Sequence, residues 1–140
     1  MDLRDEVEVV LLRYFSEDAH GALAVYLFGS VARGEARADS DVDVGVLFEE
    51  APPASLHAPQ YGIEAELERL LHRQVQVIPL NRASPDLVHR VLRDGRLLLD
   101  RDRGARIRFE VHSRNEYFDV LPFMERYRRP RLRPPGAGRP

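Results

Sequence analysis

The sequence predicts an α/β (α+β) domain, a small mixed sheet packed with helices. Three observations carry that expectation. Segments with apolar residues at helical spacing alternate with short apolar or β-branched runs. One of those runs, residues 41–48, alternates strictly between two faces, as a strand does. The chain has 140 residues, 44% hydrophobic and 31% charged, which suits one globular domain of the usual roughly 100–150 residues and excludes a disordered chain.

Leu3, Val7, Leu11 and Tyr14, with Val10 beside them, predict an amphipathic helix over 3–15 that ends in the polar stretch Ser16 to Gly21. Leu23 to Phe28 is a nearly continuous apolar run that suits a buried strand. Gly29-Ser30 ends it abruptly, and Val31-Ala32-Arg33 reads as the start of a short helix before a polar loop, Ala36 to Ser40. In the next strand Asp41, Asp43, Gly45 and Leu47 share one face, and Val42, Val44, Val46 and Phe48 form a β-branched core face. Pro52, Pro53 and Pro59 mark a loop, after which Ile63, Leu67, Leu70 and Leu71 predict a second amphipathic helix. Val75 to Leu80 is a third strand, in which Pro79 points to an edge position or a strand end.

Ser84-Pro85-Asp86 reads as N-cap, first helical position and acidic first turn. Leu87, Val88, Val91 and Leu92 give that helix a buried face, and Gly95 is its expected stop. A further short strand spans Arg96 to Asp100. A long helix from about Asp102 places Ile107, Val111, Phe118 and Leu121 on one face and is expected to kink or stop before Pro122. From Arg129 onward proline, glycine and arginine imply a loose tail, so the expected domain is 1–128 and the tail 129–140.

Zero cysteines exclude a disulfide scaffold, a thiolate zinc site and a cysteine nucleophile. No apolar run approaches the roughly 18 residues of a membrane helix, and the acidic start, Met1 to Glu6, has no signal-peptide stretch. A cytoplasmic location without membrane contact is expected. All 21 basic residues are arginine, and six of them follow Glu125, where no acid occurs. The body therefore holds 15 arginines against 23 acids, or −8, and the tail +6. An acidic body argues against nucleic acid bound across the surface. The tail suits an acidic partner, RNA or simple solvation. The five histidines (His20, His57, His72, His89, His112) show no metal-site spacing and read as structural or exposed.

Two pieces carry chemistry. Gly29-Ser30 stands where a buried strand turns into a helix start, where free N–H groups favour an anion, glycine admits a phosphate and serine adds a donor. Asp41 and Asp43, two apart on a strand, project from one face with Cβ atoms roughly 6–7 Å apart. Such carboxylates share divalent metals or each take one of a pair, and without metal or arginine they repel. Gly45 on the same face is expected to leave open space for a ligand. Taken singly, Gly-Ser is also a common turn, and Asp-x-Asp also fits a solvated strand edge.

Together, Gly29-Ser30, ten residues, then Asp41-Val42-Asp43 resembles the Gly-Ser-x10-Asp-x-Asp signature of the polymerase-β-like nucleotidyltransferases. The string from Gly29 to Val44 is similar to the minimal nucleotidyltransferase (MNT) branch, which includes MntA-type antitoxins. The similarity continues through Leu80 to Pro85 and Phe118 to Pro122, nearly the whole chain except the tail. The resemblance implies the polymerase-β-like fold, with Gly29, Ser30 and Arg33 binding nucleotide and the catalytic Asp41 and Asp43 binding Mg2+, two ions in all. Arg37 is a further phosphate-contact candidate, although both arginines also suit a solvated loop. The implied reaction moves AMP from ATP onto a protein hydroxyl and releases pyrophosphate. The implied acceptor is a tyrosine of a HEPN-domain toxin, with antitoxin and toxin in a hetero-oligomer.

The sequence departs from the family at one point. A third carboxylate usual on the next strand is replaced, in Val75-Gln76-Val77, by Gln76. An amide carries no charge and takes no proton near pH 7, so the second metal site is weakened and the acceptor lacks a base. Glu64 or Glu66 are possible substitutes, though both suit a solvent face. A phenol, with a pKa near 10, tolerates that loss better than a sugar hydroxyl. The alternative is a weakened or inactive MNT domain that neutralises a HEPN toxin by binding. An aminoglycoside nucleotidyltransferase would need an extra acceptor domain, and an RNA-modifying transferase would use the arginine tail.

Overall fold

The computed structural model describes residues 2–128, so the tail expected over 129–140 lies outside the described residues. Helices α1 (Leu3–Glu17), α2 (Gly29–Arg33), α3 (Pro59–Leu71), α4 (Pro85–Asp94) and α5 (Arg103–Arg128) alternate with strands β1 (Ala22–Phe28), β2 (Val42–Phe48), β3 (Val75–Pro79) and β4 (Arg96–Asp100). The sheet order is β3-β2-β1-β4, with β2 and β3 parallel and the other pairs antiparallel. The expected small mixed sheet packed with helices is what forms.

The strict alternation of β2 divides the core in two. Val42, Val44, Val46 and Phe48 join Val7, Leu11 and Phe15 of α1 and Ile63 and Leu67 of α3 on one face. Leu47, with Ala24, Tyr26 and Phe28 of β1, packs on Val91 of α4 and on Leu80 across the other face. Leu80 opens a single 3-10 turn, Leu80–Arg82, after β3. Its side chain fills the space over Gly45, where a Cβ would meet Leu80 Cδ2 at 3.1 Å. The expected opening there is therefore closed by packing.

Several boundaries follow from local chemistry. Asp2 caps α1 by accepting from the Asp5 N–H at 2.9 Å. Pro59 stands in the first turn of α3, where its missing N–H costs nothing, so this proline opens a helix and does not mark a loop. Ser84 caps α4 through the Leu87 N–H. At the end of α4 the Gly95 N–H donates to the Val91 carbonyl at 2.7 Å, an arrangement that selects glycine because a Cβ there would collide with that oxygen.

Pro79 ends β3, which is an edge strand, so both readings of that proline hold. Beyond it the Asn81 side chain stands in for a ladder residue: its Oδ1 accepts from the Phe48 N–H and its Nδ2 donates to the Phe48 carbonyl, each at 2.9 Å. On the other side of β3, Glu68 accepts from the Val75 N–H at 3.1 Å and Glu64 from the Val77 N–H at 2.9 Å.

Helix α5 departs from the sequence reading twice. Ile107, Val111 and Phe118 are 40%, 47% and 57% exposed and do not form its buried face. That face is set by polar chemistry. Tyr26 donates to Glu110 at 2.6 Å, and Arg106 bridges Glu110 (3.0 Å) and Asp100 (2.8 Å), which turns Phe109 and Ser113 inward. Burial, then the Glu110 hydrogen bond, pushes the Tyr26 hydroxyl pKa up, so it remains a donor. Helix α5 also does not stop before Pro122, the second of the two alternatives expected there, but runs through it to Arg128. The carbonyl deprived of its donor belongs to Phe118, an exposed residue, so solvent access lowers the cost of the lost bond. Among the described residues no helix is long and apolar enough to cross a membrane.

Candidate active site

Strand register builds the site. Phe28 is paired with Asp43 across β1 and β2, and Asp43 with Gln76 across β2 and β3. Residues directly opposite point to the same side of a sheet, so Phe28, Asp43 and Gln76 form a row on the α4–α5 side. Gly29-Ser30, the next residues after Phe28, open α2 beside Asp43. The approach is close: a Cβ on Gly29 would fall well inside contact distance of Asp43 Oδ2, with Cγ at 3.1 Å and Cβ at 3.3 Å. Gly29 also has φ +79°, the left-handed region. Both conditions select glycine.

The far end of α2 is fixed as well. Gly34 takes φ +74°, the Glu35 N–H donates to the Ser30 carbonyl at 2.9 Å, and Arg4 of α1 donates to the Ala32 carbonyl at 3.2 Å. The first turn of α2 has no side-chain cap, which leaves its N–H groups for an anion.

A pocket of about 550 Å3 opens over this row, within the size range of small-molecule sites. Gly29, Ser30 and Arg33 form one wall; Phe28, Asp43, Gln76 and Ile78 form the sheet floor. The opposite wall is α4, through Leu87, Arg90, Arg93 and Asp94. Asp41, just before β2, is exposed and stands outside the pocket lining. Burial, then the Asp41 charge, pushes the Asp43 pKa up, and Arg33 pulls the other way.

Arg33 lines the pocket and also pairs with Glu35 at 2.9 Å. Arg37 is not in the lining; its backbone N–H donates to Ser40 in the loop before β2. Neither glutamate substitute reaches the floor. Glu64 accepts from the Val77 backbone, and Glu66 takes the Tyr14 hydroxyl on the α1–α3 side. The residues that sequence reasoning missed are Arg90, Arg93 and Asp94. On a helix with Val88 and Val91 buried, they look like an ordinary solvated face, and only the tertiary fold shows that this face looks into the pocket.

The donor set suits a hard cation in one way only. Among the described residues no group of three or more His, Cys, Asp or Glu is placed to hold a metal. Asp43 beside the Gly29 cradle, with the Asp41 charge acting on it, is a donor set of the kind magnesium takes, one or two carboxylates with waters and substrate phosphates completing the shell.

Comparison with known proteins finds similar sequences and a shared fold. The protein adenylyltransferase MntA of Thermococcus cleftensis is 34% identical over 92 residues, 64% of this chain and 90% of that protein. The crystal structure of a toxin-antitoxin with AMP-PNP superposes with a TM-score of 0.67 at 21% identity, over 86% of this chain and 91% of that one. The tri-AMPylated Shewanella oneidensis HEPN toxin in complex with MNT antitoxin gives 0.66 at 18% identity, over 89% and 94%. At these identities the two structures establish a shared fold. Residues 11–104 match the family described as polymerase beta, nucleotidyltransferase. The chain belongs to the polymerase beta nucleotidyltransferase family.

Proposed function

We propose that this chain transfers AMP from ATP to a tyrosine hydroxyl of a HEPN-type toxin and so serves as its antitoxin, with residues 1–128 as the nucleotidyltransferase domain. The observation that carries the reading is the β1–β2 register, which sets Gly29-Ser30 against Asp43 on the floor of a polar pocket. The relatives support the acceptor: one is named a protein adenylyltransferase, and one structure pairs an MNT antitoxin with an AMPylated HEPN toxin. AMP-PNP in a structure of the same fold supports ATP as donor. The acidic, cysteine-free composition supports a cytoplasmic location.

Asp41 and Asp43 would hold Mg2+, the second of two ions more weakly because Gln76 brings no charge. When bound, the metal supplies positive charge to the phosphoryl oxygens. Gly29 lets the phosphate chain approach the backbone, while Ser30 and Arg33 donate to it. The tyrosine oxygen bonds to the α-phosphorus, the bond from that phosphorus to the bridging oxygen breaks, and pyrophosphate leaves. The phenol proton passes to water, since Asp43 on the pocket floor would be engaged with the metal. Such catalysis is mainly positioning and electrostatics.

Incubation of the chain with labelled ATP, Mg2+ and its cognate toxin should place label on a toxin tyrosine, and Asp43→Asn should abolish it. Gln76, with Glu64 and Glu66 engaged elsewhere, favours a second reading in which the domain neutralises by binding alone. Neutralisation that survives Asp41→Ala with no label transferred would establish that second reading and end the first.

A further inference from the structure

Helix α4 brings an anion-binding wall that the Gly-Ser and Asp-x-Asp pieces do not account for. Arg90 and Arg93, three residues apart, lie on one face of the helix, and both line the pocket opposite Ser30 and Arg33. Arg93 is in the last turn, where the helix ends abruptly at Gly95. Its guanidinium is already engaged as a fork: Nε donates to Asp94 Oδ1 at 3.0 Å and Nη2 to Oδ2 at 2.8 Å. That planar two-point grip is the one arginine offers to phosphate. The Asp94 carboxyl is held below its usual range by the Arg93 fork first, with Arg33 adding to the effect from across the pocket.

The Arg93 side chain is 57% exposed. An exposed pair of neighbouring residues is weak, so a multiply charged phosphate chain can displace the carboxylate. Asp94 is thus an anion of the protein's own, seated among guanidiniums in the pocket.

We propose that Arg90 and Arg93 of α4 bind the terminal phosphates of the nucleotide in the pocket, and that Asp94 is a built-in competitor occupying the Arg93 fork when nucleotide is absent. This rests on the reading of the pocket as an ATP site. Asp43 on the floor then faces the α-phosphate, where the bond breaks, and α4 joins Ser30 and Arg33 opposite it in holding the leaving pyrophosphate. Asp94 then limits how tightly that product is retained, because the carboxylate returns to the fork as pyrophosphate leaves.

The test is calorimetric binding of ATP, AMP and inorganic tripolyphosphate, each with Mg2+, to the full chain. Arg93→Ala and Arg90→Ala should each weaken ATP and tripolyphosphate by about 10- to 100-fold, the range for a charge-assisted hydrogen bond, and leave AMP within about two-fold. Arg93→Lys, which keeps the charge but not the fork, should recover only part of the loss. Asp94→Asn should tighten tripolyphosphate several-fold. Unchanged melting curves would confirm that each variant folds, as expected for exposed side chains. If ATP binds the parent and needs Ser30 but is indifferent to Arg90 and Arg93, the α4 assignment is wrong and the ATP reading stands. If the parent binds neither ATP nor tripolyphosphate, both fall. Arg93→Ala weakening AMP as much as ATP would also overturn the assignment, since AMP lacks the terminal phosphates.

Discussion

The contact between Gly29 and Asp43 makes a quantitative prediction. Gly29→Ala places a Cβ against the Asp43 carboxylate on a backbone with φ +79°. The left-handed conformation alone costs an L-residue about 1–2 kcal/mol. Rotation of Asp43 can swing its carboxylate clear, but Asp43 Cβ stays at 3.3 Å, so the side chain must leave its present rotamer and the strand must give slightly. Overpacking of that kind adds about 1–3 kcal/mol. The single variant should therefore lose about 2–5 kcal/mol in urea unfolding, and nucleotidyl transfer should fall by orders of magnitude because the displaced carboxylate no longer faces the pocket. In an Asp43→Ala background the carboxylate is gone and only the 3.3 Å Cβ contact remains, so Gly29→Ala should cost clearly less, about 2 kcal/mol. The coupling between the two substitutions, about 1–3 kcal/mol, measures the contact directly. Equal cost in both backgrounds would refute the reasoning, for it would mean that Gly29 and Asp43 do not touch.

Asp43→Asn should stabilise the nucleotide-free chain at neutral pH while abolishing transfer, as expected where function is placed above stability. The sign follows from its raised pKa: the neutral carboxyl fits the fold better, so that stability is present in acid and lost as pH rises through the folded value. Thermal melts should show the variant melting higher than the parent at pH 7 and converging with it in acid, below the ordinary carboxylate range. Asn81→Ala strands the Phe48 N–H and carbonyl together, and denaturant titration should register a loss of about 1–3 kcal/mol. Gly45→Ala presses on Leu80 and should cost about 1–3 kcal/mol, relieved when Leu80 is shortened to Val in the same chain.

Much of this was legible in the chain itself. The alternation over 41–48 assigns β2 and both of its faces, and Ser84-Pro85 marks the start of α4, because those signals are local. Gly29-Ser30 and Asp41-x-Asp43 are legible for the same reason, each being a short spacing on one element. What failed was tertiary. Gly45 looks empty until Leu80, 35 positions later, packs on it. Ile107, Val111 and Phe118 share a helical face, yet the ion network from Arg106 and Glu110 to Tyr26 decides which side of α5 meets the sheet. Arg90 and Arg93 carry no sequence signal because arginines opposite a buried helix stripe are the ordinary solvent face.

The outer rim of β3 has a consequence for assembly. Its outward amide donors come at every second residue: Val75 gives its own to Glu68, Val77 gives its own to Glu64, and the third position is Pro79, which has none. A foreign strand drawing alongside would find no hydrogen to accept and two negative charges facing its carbonyls. Growth of the sheet in that direction would draw no hydrogen bond from the donors of β3, which disfavours one copy of the chain templating another there.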